Sequence, residues 1–258
     1  MEFIARGLSR ATHVQFAKQT KMTTRPNRIA LVTGASRGLG RAIALALAAE
    51  GAHIIATART QGGLEELDDE IKTLGSFATL VPMDITDSPG IDRLGAAIFE
   101  RWKKLDILVG NAGVLGRLTP LPHLDPKVWD EVMAVNVTAN YRLLRAMDPL
   151  LRMSEAGRAV FLTSGHAQST PAYSGAYSIS KAALEAMVKT YAAEMATTKV
   201  RANLFSPGAT RTKMRAAAMP GEDASKLPSA EEVATQVVPM CAVEFVNNGV
   251  VVRFAKDV

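Results

Sequence analysis

The run Ile29-Ala30-Leu31-Val32-Thr33 is short, continuous and apolar, and it breaks directly into Gly34-Ala35-Ser36-Arg37-Gly38-Leu39-Gly40. A strand covered on both faces reads this way, because neither side of its pleat meets water. The next residues, RAIALALAAE, carry helical periodicity. Strand, glycine-rich turn and helix in that order fit the opening of a parallel βαβ unit, with the turn and the free N–H groups of the helix start available to an anion. The spacing is G-x-x-x-G-x-G, not the more widespread G-x-G-x-x-G. Alone, a glycine-rich turn is weak evidence for a nucleotide.

The remaining chain repeats the alternation. The pattern predicts strands over His53–Ala58, Phe77–Pro82, Leu105–Val109, Ala159–Thr163, Lys199–Phe205 and Gly249–Ala255. Helices are predicted over Leu64–Leu74, Ile91–Trp102, Val128–Met153, Ser174–Glu194 and Ala230–Met240, with a polar loop over Pro220–Pro228. Such alternation suits right-handed crossovers and a single α/β domain, a Rossmann-type, doubly wound parallel sheet in a three-layer αβα sandwich. No Gly/Pro/Ser-dense linker divides the body, and no internal repeat of solenoid length is present. The domain is therefore read as residues 29–258, with 1–28 as a basic leader.

Charge matters mainly for where it sits. The net +5 is fully accounted for by residues 1–28, which hold Arg6, Arg10, Lys18, Lys21, Arg25 and Arg28 against Glu2. The body is neutral, and no basic patch with interleaved aromatics argues for nucleic acid. The leader is read as an upstream extension with Met22 as the natural start, as a flexible arm, or as an organelle presequence; it lacks the long apolar stretch of a secretory signal. The expectation for the body is a cytoplasmic protein, with one cysteine, Cys241, and so no intrachain disulfide. No apolar run reaches the roughly 18 residues of a membrane span. The histidines (His13, His53, His123, His166) show no metal-ligand spacing, so no metal is expected.

Two features bear on chemistry. The second predicted strand ends at Ala58-Arg59 with no acidic residue near the point where dinucleotide folds hold a ribose 2′-hydroxyl. Arg37 and Arg59 are guanidinium forks suited to a 2′-phosphate, or else two solvent-facing side chains. Then SGAYSISKAALEAMVKTYAAE sets Tyr177 and Lys181 four residues apart, on one helical face. Such a pair is usually solvated. Here a strand ending at Ser164 precedes it, and an ammonium near a phenol lowers the phenol's pKa from about 10. Taken singly, Ser164 fits a turn residue, Asn136 a helix-packing polar group, and His166 either a surface residue or one lining a substrate site.

Together these residues resemble the single-domain short-chain dehydrogenases/reductases, over about residues 27 to 255. The matching pieces are Thr33-Gly34-x-x-x-Gly38-x-Gly40, Asp84, Asn111-Ala112-Gly113, Asn136, Ser164, Tyr177-x-x-x-Lys181, and Pro207-Gly208 with Thr212. The step of thirteen residues from Ser164 to Tyr177 is also the family's. The resemblance implies a catalytic tetrad of Asn136, Ser164, Tyr177 and Lys181, with Asn136 holding a water that connects Lys181 to solvent. It implies cofactor contacts from Gly34, Ser36, Arg37, Gly38, Leu39, Gly40, Arg59, Asp84, Ile85, Asn111, Ala112, Gly113, Tyr177, Lys181, Pro207, Gly208, Thr210 and Thr212. Arg37 and Arg59 match members preferring NADP(H) over NAD(H). The implied substrate is a small carbonyl or alcohol, and the implied assembly a homodimer or homotetramer through the helices around Asn136 and Tyr177.

The chain departs from the pattern in two places. The segment after Pro207-Gly208 is short, and the ending FVNNGVVVRFAKDV lacks the usual glycine-rich close. Two other functions are weighed. A non-catalytic NADP(H) sensor or scaffold would keep the turn without the tetrad. A nucleotide-sugar epimerase or dehydratase would need a larger region after Pro207 than the 51 residues that follow it.

Overall fold

A computed structural model describes residues 28–255. The elements run β1 Ile29–Thr33, α1 Gly38–Ala49, β2 His53–Ala58, α2 Gln61–Thr73, β3 Ala78–Pro82, α3 Ser88–Trp102, β4 Ile107–Gly110, α4 Pro126–Met133, α5 Ala139–Arg152, β5 Arg158–Leu162, α6 His166–Ser169, α7 Gly175–Glu194, β6 Arg201–Ser206, α8 Lys213–Ala218, α9 Ala230–Ala234, α10 Val238–Cys241 and β7 Val251–Arg253. The seven strands form one parallel sheet in the order β3-β2-β1-β4-β5-β6-β7. This is the Rossmann-like αβα sandwich expected.

Continuous apolar runs become strands here because both sheet faces are covered. β1, β4 and β5 are buried along their whole length. Alternate residues feed two cores. Ala30, Val32, Ile54, Val109 and Val160 pack with Ile43, Leu47, Leu67 and Val233 on one side. Leu31, Ile55, Leu108, Ala159 and Phe161 pack with Ile91, Ile98, Leu143, Met147, Leu184 and Val188 on the other. Each large aliphatic side chain so buried contributes about 1.5–3 kcal/mol. The edge strand β3 has no fully buried residue and β7 is only three residues long.

The strand order reverses between β1 and β4, where successive crossovers leave in opposite directions and open a crevice beyond the strands' C-terminal ends. The opposite end of the sheet is closed by charge. Buried Asp106 accepts from the Ile29 N–H (2.9 Å), from Ser154 Oγ, and from Lys104 Nζ (3.0 Å). Arg28, the last residue of the basic leader, donates to the carbonyls of Asp106 (3.1 Å), Ala156 (3.0 Å) and Cys241. The rest of the leader lies outside the described residues.

Local chemistry moved several predicted boundaries. The single helix predicted over Val128–Met153 is interrupted by a π-helical turn, Ala134–Thr138. The one predicted over Ala230–Met240 breaks into α9 and α10, with Pro239 opening the second piece where its missing N–H costs nothing. The polar segment after β6 also holds a short helix, α8, capped by Thr212, whose Oγ1 accepts from the Arg215 N–H at 3.2 Å.

Asp106 yields a test of this closing network. Removing its carboxylate leaves a buried N–H and an ammonium without their acceptor, so Asp106→Ala is expected to lower unfolding stability by about 3 kcal/mol. Urea unfolding followed by circular dichroism measures this; a loss below about 1 kcal/mol would mean that water replaces the carboxylate at no cost.

Candidate active site

The crevice above β1 and β4 is built on Thr33. Its Oγ1 accepts from the Asn111 and Ala112 N–H groups, both at 3.0 Å, and reaches the Val109 carbonyl at 3.3 Å. Asn111 returns the tie, its Nδ2 donating to the carbonyls of Thr33 (2.8 Å) and Gly34 (3.2 Å). Gly34 sits at φ 66°, the left-handed region that glycine enters without penalty, and an added Cβ would lie 2.9 Å from Asn111 Nδ2. A Cβ on Gly40 would fall on the Gly34 carbonyl and the Asn111 amide. These glycines therefore let the turn fold tightly onto the Asn111-Ala112-Gly113 segment, leaving a backbone-lined cradle at the start of α1. That cradle suits the pyrophosphate of a dinucleotide.

The other residues expected to touch the cofactor lie on separate elements around it. Ser36 packs against Gly63 of α2, and Leu39 packs half-buried on the α1 core. Arg37, the residue before α1, is exposed, and its side chain has no hydrogen bond or ion pair among the described residues. Arg59 is exposed at the end of β2 and helps hold the Asp84 carboxyl below its ordinary pKa, after the larger effect of the Thr86 N–H and hydroxyl, both 2.8 Å from Asp84 Oδ1. Ile85 turns back toward the α3 core. Pro207, Gly208 and Thr210 follow β6, where buried Thr210 donates to the Pro207 carbonyl at 3.1 Å. Thr212 lines a cleft of about 310 Å³ together with Arg215, Met219 and Leu227.

The chemistry-bearing side chains meet above β5. Ser164 follows its end, and Tyr177 and Lys181 project from α7 across the same space. Lys181 is 5 % exposed and donates to the Leu162 carbonyl at 2.7 Å. Its Nζ stands 5.8 Å from the centroid of the Tyr177 ring. A Cβ on Gly113 would lie 3.6 Å from Lys181 Nζ, so the lysine also borders the cradle.

The electrostatics differ from the sequence expectation. Lys181 was expected to pull the Tyr177 pKa down. Instead burial raises it, and the Ser164 hydroxyl, not the lysine, opposes that rise. The physical reason is that Lys181 is itself desolvated, its pKa pushed down to about 8, and its proton is aimed at a backbone carbonyl.

Asn136 has a bracing role that the sequence did not show. It is fully buried, and its amide is spent within the protein: Oδ1 accepts from the Val114 N–H (2.8 Å), and Nδ2 donates to the Val114 carbonyl (2.9 Å) and Ser180 Oγ (2.9 Å). The π-helical turn swings the residue inward, a common device where a helix serves a site. Asn136 thus pins the loop after β4 to α7. Its carbonyl accepts from Asn140 Nδ2 at 2.9 Å.

Sequence reasoning missed these supports. Val114 carries no signal, since only its backbone is used. Asn140, one helical turn after Asn136, and Ser180, next to Lys181, were legible only as spacings. Buried Glu185, one turn beyond Lys181, accepts from Thr163 Oγ1 (2.9 Å) and Gln168 Nε2 (2.6 Å), fixing α6 to α7. Among the described residues there is no cluster of metal-ligating side chains and no helix long and apolar enough to cross a membrane.

Burial of Lys181 gives this site a stability signature. The unfolded chain keeps that proton up to about pH 10.4, the folded protein to about pH 8. Between those values the unfolded state binds more protons, so this residue's contribution to stability rises with pH and is lost as pH falls through 8. Relative to Lys181→Met, wild type is expected to gain roughly 3 kcal/mol across that window in urea unfolding at stepped pH. Parallel pH curves for the two proteins would contradict the buried-ammonium assignment.

Comparison with known proteins agrees with this arrangement. The family profile described as short chain dehydrogenase matches residues 28–223. The uncharacterized oxidoreductase YciK of Escherichia coli (strain K12) is 37% identical over 218 residues, covering 83% of this chain and 86% of that one. The 2,3-dihydro-2,3-dihydroxybenzoate dehydrogenase of Bacillus subtilis (strain 168) is 35% identical over 188 residues, 73% of this chain and 72% of that one. A short chain dehydrogenase from Escherichia coli CFT073, solved in complex with NADPH, superposes with a TM-score of 0.84 at 35% identity, covering 88% of this chain and 95% of that one. The chain belongs to the short-chain dehydrogenase/reductase family of nicotinamide-dependent oxidoreductases.

Proposed function

We propose that this protein is an NADP(H)-dependent reductase or dehydrogenase acting on a small carbonyl or alcohol, with Tyr177 as its general acid and base. The observation that carries the reading is the convergence of Ser164, Tyr177 and Lys181 above β5, beside the glycine cradle. A bound nicotinamide supplies or accepts the hydride; the protein supplies position and the proton.

In reduction, negative charge grows on the carbonyl oxygen. The Tyr177 hydroxyl donates its proton there, and the Ser164 hydroxyl holds the same oxygen by a hydrogen bond. In oxidation Tyr177 takes the proton back. Burial raises the pKa of the phenol and the Ser164 hydroxyl opposes that rise, so the proton Tyr177 would donate is held on the phenol in the resting site. Lys181 keeps positive charge next to the ring and borders the cradle, where its ammonium would hold the ribose of a nicotinamide. Asn136 acts as a positioning residue through Val114 and Ser180.

Cofactor preference rests on Arg37 and Arg59. Both are exposed, both stand at the C-terminal end of the β1–β2 pair, and no acidic residue accompanies them at the end of β2. They would grip a 2′-phosphate, and the NADPH bound by the solved relative supports that assignment. A second copy of the chain would pack on α5 and α7, where Tyr141 and Ile179 are exposed.

Two measurements test the reading. Tyr177→Phe is expected to cut carbonyl reduction at least 1,000-fold, a loss of about 4 kcal/mol of transition-state stabilisation, while NADPH still binds. A variant that keeps most of its turnover removes Tyr177 from the chemistry; no turnover by wild type on a broad carbonyl panel, with tight NADPH binding, moves the protein to a binding role. Separately, fluorescence titration is expected to show NADPH bound at least tenfold more tightly than NADH, with the gap closed in Arg37→Ala/Arg59→Ala. Equal binding of both nucleotides by wild type overturns the NADP assignment.

A further inference from the structure

His166 opens α6, two residues after Ser164, with its ring against that of Tyr177. The two rings meet edge to face, 5.8 Å between centroids and 81° between planes. The backbone N–H of His166 donates to Ser164 Oγ at 3.3 Å, so the residue is fixed to the group that would hold the substrate oxygen. Its ring Nδ1 is buried and has no hydrogen-bond partner; among the described residues only Arg142 Nε shares that condition. Nε2 also makes no hydrogen bond there, and it remains accessible.

A buried polar atom without a partner calls for an explanation. Burial, helped by the charge of Arg215 from α8, holds the imidazole below its ordinary pKa, so the ring is neutral at neutral pH. A neutral imidazole has one N–H and one bare nitrogen. A bare acceptor without a partner is tolerated better than an orphaned N–H, which assigns the proton to the accessible Nε2. His166 then presents a hydrogen-bond donor beside the Ser164–Tyr177 pair, held against Tyr177 of α7 and by its backbone to Ser164. A carbonyl compound with a single oxygen leaves this donor unused. One with a second acceptor oxygen on a nearby carbon satisfies it.

We infer that His166 is a specificity-determining residue whose Nε2–H binds a second oxygen of the substrate, so that the preferred substrates are dicarbonyl or other oxygen-bearing carbonyl compounds rather than simple ketones. The inference rests on the reductase reading for the location of the reacting carbonyl.

The test compares butane-2,3-dione and pentane-2,4-dione with butan-2-one and pentan-2-one. Binding to the full-length protein with saturating NADP+ is followed by ligand-observed NMR titration, where no hydride can be transferred to the ketone. Wild type is expected to bind the better dione at least fivefold more tightly than its monoketone. That ratio is expected to fall below twofold in His166→Leu and to persist in His166→Gln, whose amide N–H replaces the donor. A purely structural role would weaken both ketones alike and would not be rescued by glutamine. A wild type that binds dione and monoketone equally, or binds neither, overturns the inference, as does an unchanged ratio in His166→Leu. NADPH oxidation in parallel samples separates the two readings. No turnover with the binding ratio intact overturns the reductase reading alone, and turnover without the ratio overturns only the role of His166.

Discussion

The site depends on the hydrogen-bonded knot between the ends of β1 and β4. Thr33 receives two N–H groups from the start of the loop after β4, and Asn111 sends its amide back to the turn after β1. Each bond contributes about 1 kcal/mol net, but their geometric effect is larger than their energy. They hold two crossovers that diverge to opposite faces of the sheet, and so keep the crevice open. The glycine turn can lie against Asn111 only because Gly40 offers no side chain to obstruct it.

A second constraint joins the cradle to the chemistry. The polypeptide must carry a loop from β4 and a long helix, α7, into one space without leaving buried polar groups unpaired. Asn136 satisfies both backbone groups of Val114 and reaches Ser180 in the same stroke, and the π-helical turn aims it there. Lys181 is then buried against the Leu162 carbonyl, where desolvation brings its pKa to about 8. Tyr177, Ser164 and His166 complete a site whose polar atoms come from three directions: β4's loop, β5's turn and α7.

Much of this was legible before any coordinates. The apolar run Ile29–Thr33 and its glycine turn could hardly be anything but a buried parallel strand entering a helix, since period, length and turn chemistry all agree. Tyr177 and Lys181 were legible because a phenol and an ammonium share one helical face by simple periodicity, and Ser164 through its family spacing to Tyr177. The missing acid after β2 was equally visible. The break at Pro239 was written in the sequence too, yet apolar periodicity alone carried the predicted helix through it. Val114, Glu185 and the knot at Thr33 were less accessible, because a backbone contact or a buried hydrogen bond between distant residues leaves no periodic trace.

The sequence by itself determined the strand-helix alternation, the glycine-rich turn and the placing of Tyr177 and Lys181 on one helical face, because these depend on local periodicity and on residue types that few other contexts tolerate. Tertiary structure alone decided the electrostatics. Lys181 does not simply lower the Tyr177 pKa, because the same burial that brings the two groups together strips water from both. It also decided that Asn136 braces a loop with its whole amide and that His166 keeps an accessible ring nitrogen beside the tyrosine. Burial, dielectric and hydrogen-bond satisfaction are properties of the packed chain, set by neighbours hundreds of atoms away along it, and no local pattern encodes them.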